Sequence, residues 1–159
     1  SMSRVMSMAL VHQFIYRSND LENINMRYYI DELVHKLSDT YNEQKKTIQI
    51  KTIIDELFFD IDQTIPVALM INEILANIFK YAFIDKHNGT IEISLTKQAD
   101  KKVRLFISDN GIGFPKDFKP EKSKTLGMYL IKNFAKRQLK GTLQITSKPD
   151  EGVKYEIVF

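Results

Sequence analysis

Three polar residues, Glu73, Asn77 and Lys80, stand four and three positions apart inside an apolar stretch. On a helix that spacing gathers them into one stripe. A carboxylate there can orient or deprotonate an attacking hydroxyl, water or imidazole. A carboxamide oxygen is a hard ligand that suits Mg²⁺, and an ammonium offsets phosphate charge. A solvated face with an ordinary Glu–Lys pair explains the same pattern. Asn77 fits that reading less well, because Asn is a poor helix former and an interior position needs a reason.

A second cluster lies downstream, in Ser108-Asp109-Asn110-Gly111-Ile112-Gly113. An ionised Asp only accepts hydrogen bonds, so Asp109 suits a partner with an exposed amino group, such as adenine. Gly111 and Gly113 let backbone come close to a ligand. A plain Asp-Asn-Gly turn between strands is the competing explanation. Next comes a polar stretch, 116–124, with the composition of a mobile lid. Gly127 then precedes a helix, and backbone N–H groups at a helix start favour phosphate.

The elements that must hold these residues follow from periodicity. Val5, Met8, Val11 and Ile15, with Leu10 and Phe14, recur at helical spacing and predict an N-terminal helix. Arg17-Ser18-Asn19-Asp20 interrupts it, and Asp20 is expected to cap a second amphipathic helix from Ile24 to Tyr41. Two β-like runs follow, 48–51 and 57–61. Thr64 is expected to cap a long helix from about Ile65 to Phe83, with Pro66 in its first turn. Val67, Ile71, Ile74, Leu75, Ile78 and Ala82 form the apolar face of that helix. Alternation in 90–95 and 103–107 predicts an antiparallel hairpin. A helix from Met128 to about Leu139 and two closing strands, 142–146 and 153–159, complete the chain. The expected fold is an α/β two-layer sandwich with a mixed, largely antiparallel sheet and helices on one face. The N-terminal segment, 1–18, reads as an appendage to a main unit, 19–159.

Composition narrows the field of functions. The 159 residues, 43% of them hydrophobic, suit one domain with a real core. Cys is absent, which excludes disulfides and thiolate metal sites and fits a cytoplasmic protein. The net charge of +3 is spread along the chain, with small clusters at Lys45-Lys46 and Lys101-Lys102, so nucleic-acid binding is not expected. No bilayer-spanning run and no signal peptide are expected. Ser1-Met2 reads as a cloning remnant.

Taken in order, these motifs resemble the ATPase fold shared by histidine kinases, DNA gyrase, Hsp90 and MutL. Asn72-Glu73-Ile74-Leu75-Ala76-Asn77-Ile78-Phe79-Lys80-Tyr81-Ala82-Phe83 is similar to the family's N-box. Asp109-Asn110-Gly111-Ile112-Gly113-Phe114-Pro115 resembles its first glycine box, and Thr125-Leu126-Gly127-Met128 a reduced second one. The segment from Arg4 to Tyr16, with Ser7-Met8-Ala9-Leu10-Val11-His12, resembles histidine kinases with the second type of dimerisation domain.

The resemblance implies a catalytic ATP-binding domain of a sensor histidine kinase, with ATP and Mg²⁺ as cofactors. It implies that Asn77 holds Mg²⁺, that Glu73 assists the nucleophile, and that Lys80 and Asn72 sit near the phosphates. Asp109 would bind the adenine amino group, Gly111 and Gly113 would shape the pocket, and Thr125, Leu126 and Gly127 would contact phosphate. It implies a homodimeric parent, attached to a membrane or soluble, while this segment inserts in none. The phosphoryl acceptor would be a helix of that parent, and a response regulator its indirect partner. His12, His35 and His87 lack the family's His-x-x-Lys-Asn acceptor pattern, so the accepting histidine is expected outside this segment, with 1–18 a remnant of the dimerisation hairpin. Three positions depart from the family pattern. Thr125 stands where a glycine is frequent, Lys140-Gly141 where Gly-Gly is usual, and Val153 where Thr commonly follows the last glycine. An anti-sigma-type serine kinase or partner-switching protein, and a non-catalytic interaction module, are alternatives of the same fold.

Overall fold

The computed structural model describes residues 21–159 together with Val5, Met8, Ala9, His12, Gln13, Tyr16 and Arg17. Those seven N-terminal residues are helical and exposed; the expected Asp20 cap lies outside the described residues. The first strand, β1 (Ile24–Asn25), pairs antiparallel with β3 (Phe58–Phe59). Helix α1 (Met26–Tyr41) is capped by Asn25, whose side chain accepts from the Tyr28 N–H. Ile24 therefore belongs to a strand and not to the helix expected there.

The main sheet holds five strands in the order β2-β4-β5-β7-β6. They are β2 (Thr47–Ile54), β4 (Asn88–Lys97), β5 (Val103–Asp109), β6 (Thr142–Lys148) and β7 (Gly152–Val158). β2 runs parallel to β4, and the other three pairings are antiparallel. The architecture is the expected two-layer sandwich. Ile91, Ile93 and Leu95 of β4, Leu105 and Ile107 of β5, and Tyr155 and Ile157 of β7 are buried beneath the helices at a period of two. The alternate positions Glu92, Arg104, Phe106, Lys154 and Glu156 are exposed or half-buried on the other face. There Arg104 pairs with Glu156 at 2.7 Å and lies over the Phe106 ring.

Helix α2 (Ile61–Asn77) starts earlier than the sequence suggests. Asp60 caps it by accepting from the Gln63 N–H at 2.9 Å. Thr64, the expected cap, is buried inside the helix and donates to the Asp60 carbonyl at 2.7 Å. A carboxylate at the first free N–H groups wins over a hydroxyl one turn later, because it also meets the helix dipole. Of the run 57–61 only Phe58–Phe59 is strand, and Pro66 lies past the first turn.

The helix then widens into a π-helical turn, Ile78–Ala82, instead of running regularly to Phe83. Val67, Ile71, Ile74, Leu75, Ile78 and Ala82 are all buried, as the periodicity predicts. Together α2 and its π turn span 22 residues and match a membrane-crossing helix by length and composition only, as a buried core helix also does. Their apolar face is instead the core of this domain. Helix α3 (Leu126–Asn133), capped by Thr125, packs on α2 and ends in a second π turn, Phe134–Gln138.

Candidate functional site

β5 ends on Asp109, and the sharp turn after it is built almost wholly from backbone. Gly111 donates its N–H to Asp109 Oδ1 at 2.8 Å. The Ile112 N–H bonds the Ala82 carbonyl at the end of the π turn, at 2.9 Å, and the Asp150 N–H bonds the Ile112 carbonyl at 2.9 Å. Asn110 bonds Thr90 on β4 twice, once through its backbone N–H and once through its side-chain oxygen. The Phe114 N–H reaches Ser147 Oγ at 2.8 Å. The loop is thus tied to α2, to β4 and to the β6–β7 hairpin.

Glycine is required at three of its contacts. A Cβ on Gly111 would lie 2.2 Å from the Ala82 carbonyl oxygen. Gly113 has φ +78°, and a Cβ there would lie 2.5 Å from the Lys148 oxygen. Gly152, at φ +89°, passes so close under Asp109 that a Cβ would meet its carbonyl oxygen at 1.9 Å. Such positions exclude any larger residue.

These contacts enclose a recess lined by Asn77, Ile78, Tyr81, Ala82, Asp109, Gly113, Phe114, Val153 and Tyr155. As it stands the recess is nearly filled by its own side chains: its cavity volume is about 20 Å³, roughly the room of one water molecule. Asp109 is 5% exposed. Its Oδ2 is buried with no hydrogen-bond partner in the protein. Burial raises the pKa of Asp109 above the ordinary carboxylate value, and the N–H groups of Gly111 and Val153 and the charge of Lys86 oppose the rise. A buried acceptor of this kind is destabilising until a donor reaches it. Asn77 closes the recess on the helix side and hydrogen-bonds the Tyr155 hydroxyl. Burial, with the charge of Asp109 adding to it, raises the Tyr155 phenol above its ordinary value.

The stripe is not a solvated face. Glu73 is buried at 4% exposure and Asn72 at 1%. The Asn72 Oδ1 accepts from the Tyr41 hydroxyl at the end of α1. Asn77 lines the recess and Lys80 does not. Lys80 is exposed, lies over the Tyr81 ring at 5.2 Å, and borders a separate cavity beside α1. The π turn explains the split. It has more residues per turn than an α-helix, so Tyr81 and not Lys80 returns to the side of Asn77.

Thr125, Leu126 and Gly127 start α3 outside the recess lining. Thr125 accepts from the Met128 N–H at 3.4 Å, Leu126 is exposed and Gly127 is buried. Sequence reasoning missed Tyr81 and Tyr155 as recess residues; it read Gly152 as the end of a turn and, through the family resemblance, as the last glycine before Val153. The strand alternation that puts Tyr155 inward is visible in the sequence; its opposition to Asn77 is a tertiary fact.

Comparison with known proteins places this geometry. The profile described as "Histidine kinase-, DNA gyrase B-, and HSP90-like ATPase" matches residues 62–159, and one described as "Histidine kinase" matches residues 1–41. The chain is 28% identical over 155 residues to the sensor histidine kinase PdtaS of Mycobacterium tuberculosis, covering 96% of this chain and 30% of that protein. It thus spans about 30% of the length of that curated relative. The histidine kinase domain of the Erythrobacter litoralis blue-light activated kinase EL346 superposes with a TM-score of 0.84 at 18% identity, over 99% of this chain and 73% of that one. The mycobacterial sensor histidine kinase MprB superposes at 0.64 with 17% identity, over 88% and 97%. These two likenesses show the fold. With the profile covering the N-box helix, both glycine segments and every strand from β4 onward, the chain belongs to the histidine kinase-, DNA gyrase B- and HSP90-like ATPase family.

Proposed function

We propose that this chain is the catalytic half of a sensor histidine kinase, moving the γ-phosphoryl of ATP to a histidine on a helix outside these residues. The observation that carries the proposal is the buried Asp109 Oδ2, which has no hydrogen-bond partner in the protein and sits in the lining of the recess. The amino group of adenine supplies the missing donor. Tyr81, 48% exposed at the rim, offers a ring face to the base.

Among the described residues no group of three or more His, Asp or Glu could hold a metal ion. Mg²⁺ of kinase sites takes few protein ligands and relies on the nucleotide's own phosphates. The Asn77 carboxamide at the mouth of the recess fits that role. When bound, Mg²⁺ neutralises charge on the phosphate oxygens. In this reading Asn77 orients the phosphates, Glu73 accepts or orients a proton of the attacking group, and Lys80 offsets charge once a nucleotide draws it in. Thr125, Leu126 and Gly127 present the α3 start to phosphate. Asn72, held by Tyr41, contributes by placing Glu73 and not by contacting phosphate.

The acceptor belongs to a partner helix of the homodimeric parent, and a response regulator receives the group afterwards. His12 is exposed and lies against the Tyr16 ring, with centroids 4.4 Å apart, and the acceptor pattern is absent from the sequence around it. A cytoplasmic setting fits a supply of ATP. Calorimetric titration with a non-hydrolysable ATP analogue tests the reading. Binding that strengthens with Mg²⁺ is expected, and no binding at millimolar analogue would sink it.

A further inference from the structure

The N-box segment is held at both of its ends by one short piece of chain, the turn between α1 and β2. At the front, the Tyr41 hydroxyl bonds Asn72, the residue before Glu73. At the back, Lys46 Nζ donates to the Phe83 carbonyl and reaches the Ile84 carbonyl at 3.4 Å. The turn is itself rigid. Asn42 Nδ2 donates to the Lys46 carbonyl at 2.8 Å, and its Oδ1 accepts from the Lys46 N–H at 3.0 Å. The Asn42 N–H closes α1 on the Ser38 carbonyl. Between the two grips lies the cavity bordered by Ala76, Phe79 and Lys80.

Both grips use groups the nucleotide site does not. Asn72 is 1% exposed with its oxygen occupied. Lys46 adds a positive charge at the end of the helical segment, where the Phe83 carbonyl also accepts from the Lys86 N–H at 3.1 Å. The span they bracket, Asn72 to Phe83, contains Glu73, Asn77 and Lys80 and a π turn, a geometry intrinsically weaker than a regular helix. A shift of that turn towards α-helical register would rotate Lys80 and Tyr81 relative to Asn77.

We propose that Tyr41 and Lys46 are positioning residues for phosphoryl transfer, bracketing the N-box so that Glu73, Asn77 and Lys80 keep their places. The proposal rests on the kinase reading given above. It also makes α1, which ends on Tyr41, mechanically continuous with Glu73. The profile match described as "Histidine kinase" ends on the same residue.

Tyr41→Phe removes only a hydroxyl, and Lys46→Met only the ammonium. The chain is assayed for phosphorylation of an added histidine-bearing acceptor helix from Mg–ATP and, without nucleotide, for amide hydrogen exchange along α2 and its π turn. Each variant is expected to lower kcat roughly tenfold, the scale of a slightly misplaced catalytic group, with KM for ATP within about twofold. Exchange should quicken severalfold near Asn72 in the first variant and near Ala82 in the second, with β5 and β7 unchanged. Combining the two should give less than the product of the single effects, because both act on one segment. Unchanged kcat together with unchanged exchange overturns the proposal. A raised KM at constant kcat also overturns it, since Asn72 or Lys46 would then be a nucleotide contact. If the unaltered chain fails to bind Mg–ATP, the kinase reading falls on that result alone. The exchange measurement then still decides the bracket, and unchanged exchange rejects it.

Discussion

The floor of the recess and the segment beside it that we propose as a lid are built on opposite principles. The floor, from Asp109 to Gly113 with Gly152 beneath, is fixed by backbone hydrogen bonds to three separate elements and by glycines that admit no Cβ. The lid, 116–124, carries four lysines against Asp117 and Glu121, and most of its side chains are exposed. Its attachments are few: Phe118 packs edge-on against Phe114 with centroids 4.7 Å apart, and Lys132 Nζ reaches the Glu121 carbonyl at 3.1 Å. The end proposed to bind the base is already built by the protein's own backbone contacts. The end proposed to face phosphate has fewer contacts to fix its shape. Substitutions in the floor should therefore act on folding or all-or-none binding, and those in the lid and at the helix start should act by degrees.

The largest effect is expected at Gly152. Gly152→Ala brings a Cβ against the Asp109 carbonyl in left-handed backbone, and should destabilise the fold by about 3 kcal/mol in denaturant unfolding. A loss below about 1 kcal/mol would show that the floor yields, and would remove the contrast with the lid.

Asp109→Asn separates binding from stability. The amide oxygen cannot replace a charged acceptor, so analogue affinity should fall roughly ten- to hundredfold by calorimetry. The ligand-free melting temperature should rise. The folded pKa of Asp109 lies above the ordinary value of 3.8, so the folded state holds that proton more tightly than the unfolded one. The carboxyl is harmless to stability below the ordinary value. The penalty appears as pH rises from there through the raised folded value, and remains above it. The Asn variant should lack that component of the pH–stability curve, and identical curves would remove Asp109 as its source.

Thr125→Ala removes the α3 cap at the lid's far end and should cost about 0.5–1 kcal/mol, with a proportionate and not absolute loss of analogue affinity. The smallest change is a gain. Lys140 sits at φ +54°, where a side chain is strained, so Lys140→Gly should stabilise by roughly 0.5–1 kcal/mol.

Much of this was legible in the chain. The apolar face from Val67 to Ala82, the β4–β5 hairpin and the closing strands follow from period alone. So does the proximity of Asn77 to the glycine loop once the family resemblance orders the motifs. What escaped was set by competition between neighbours. Asp60 displaced Thr64 as cap because both could serve and only tertiary placement chooses between them. Lys80 left the stripe because a π turn has no sequence period of its own. The burial of Asn72 and Glu73 depends on α1, which lies more than 30 residues earlier and whose Tyr41 is unremarkable in sequence. Lys140 explains a departure from the family pattern: it occupies a left-handed position that glycine takes without strain.

The parallel pairing of β2 with β4 has a consequence for how the molecule assembles. Parallel neighbours cannot be joined by a tight turn, and the connection here is α2 itself, with β3 before it and the π turn after. The eight paired positions from Thr47 to Ile54 therefore close a loop that contains the N-box helix. Closing that loop costs chain entropy before its contacts reward it. The β2 edge is thus a long-range pairing whose connection is the helix bearing the proposed chemistry.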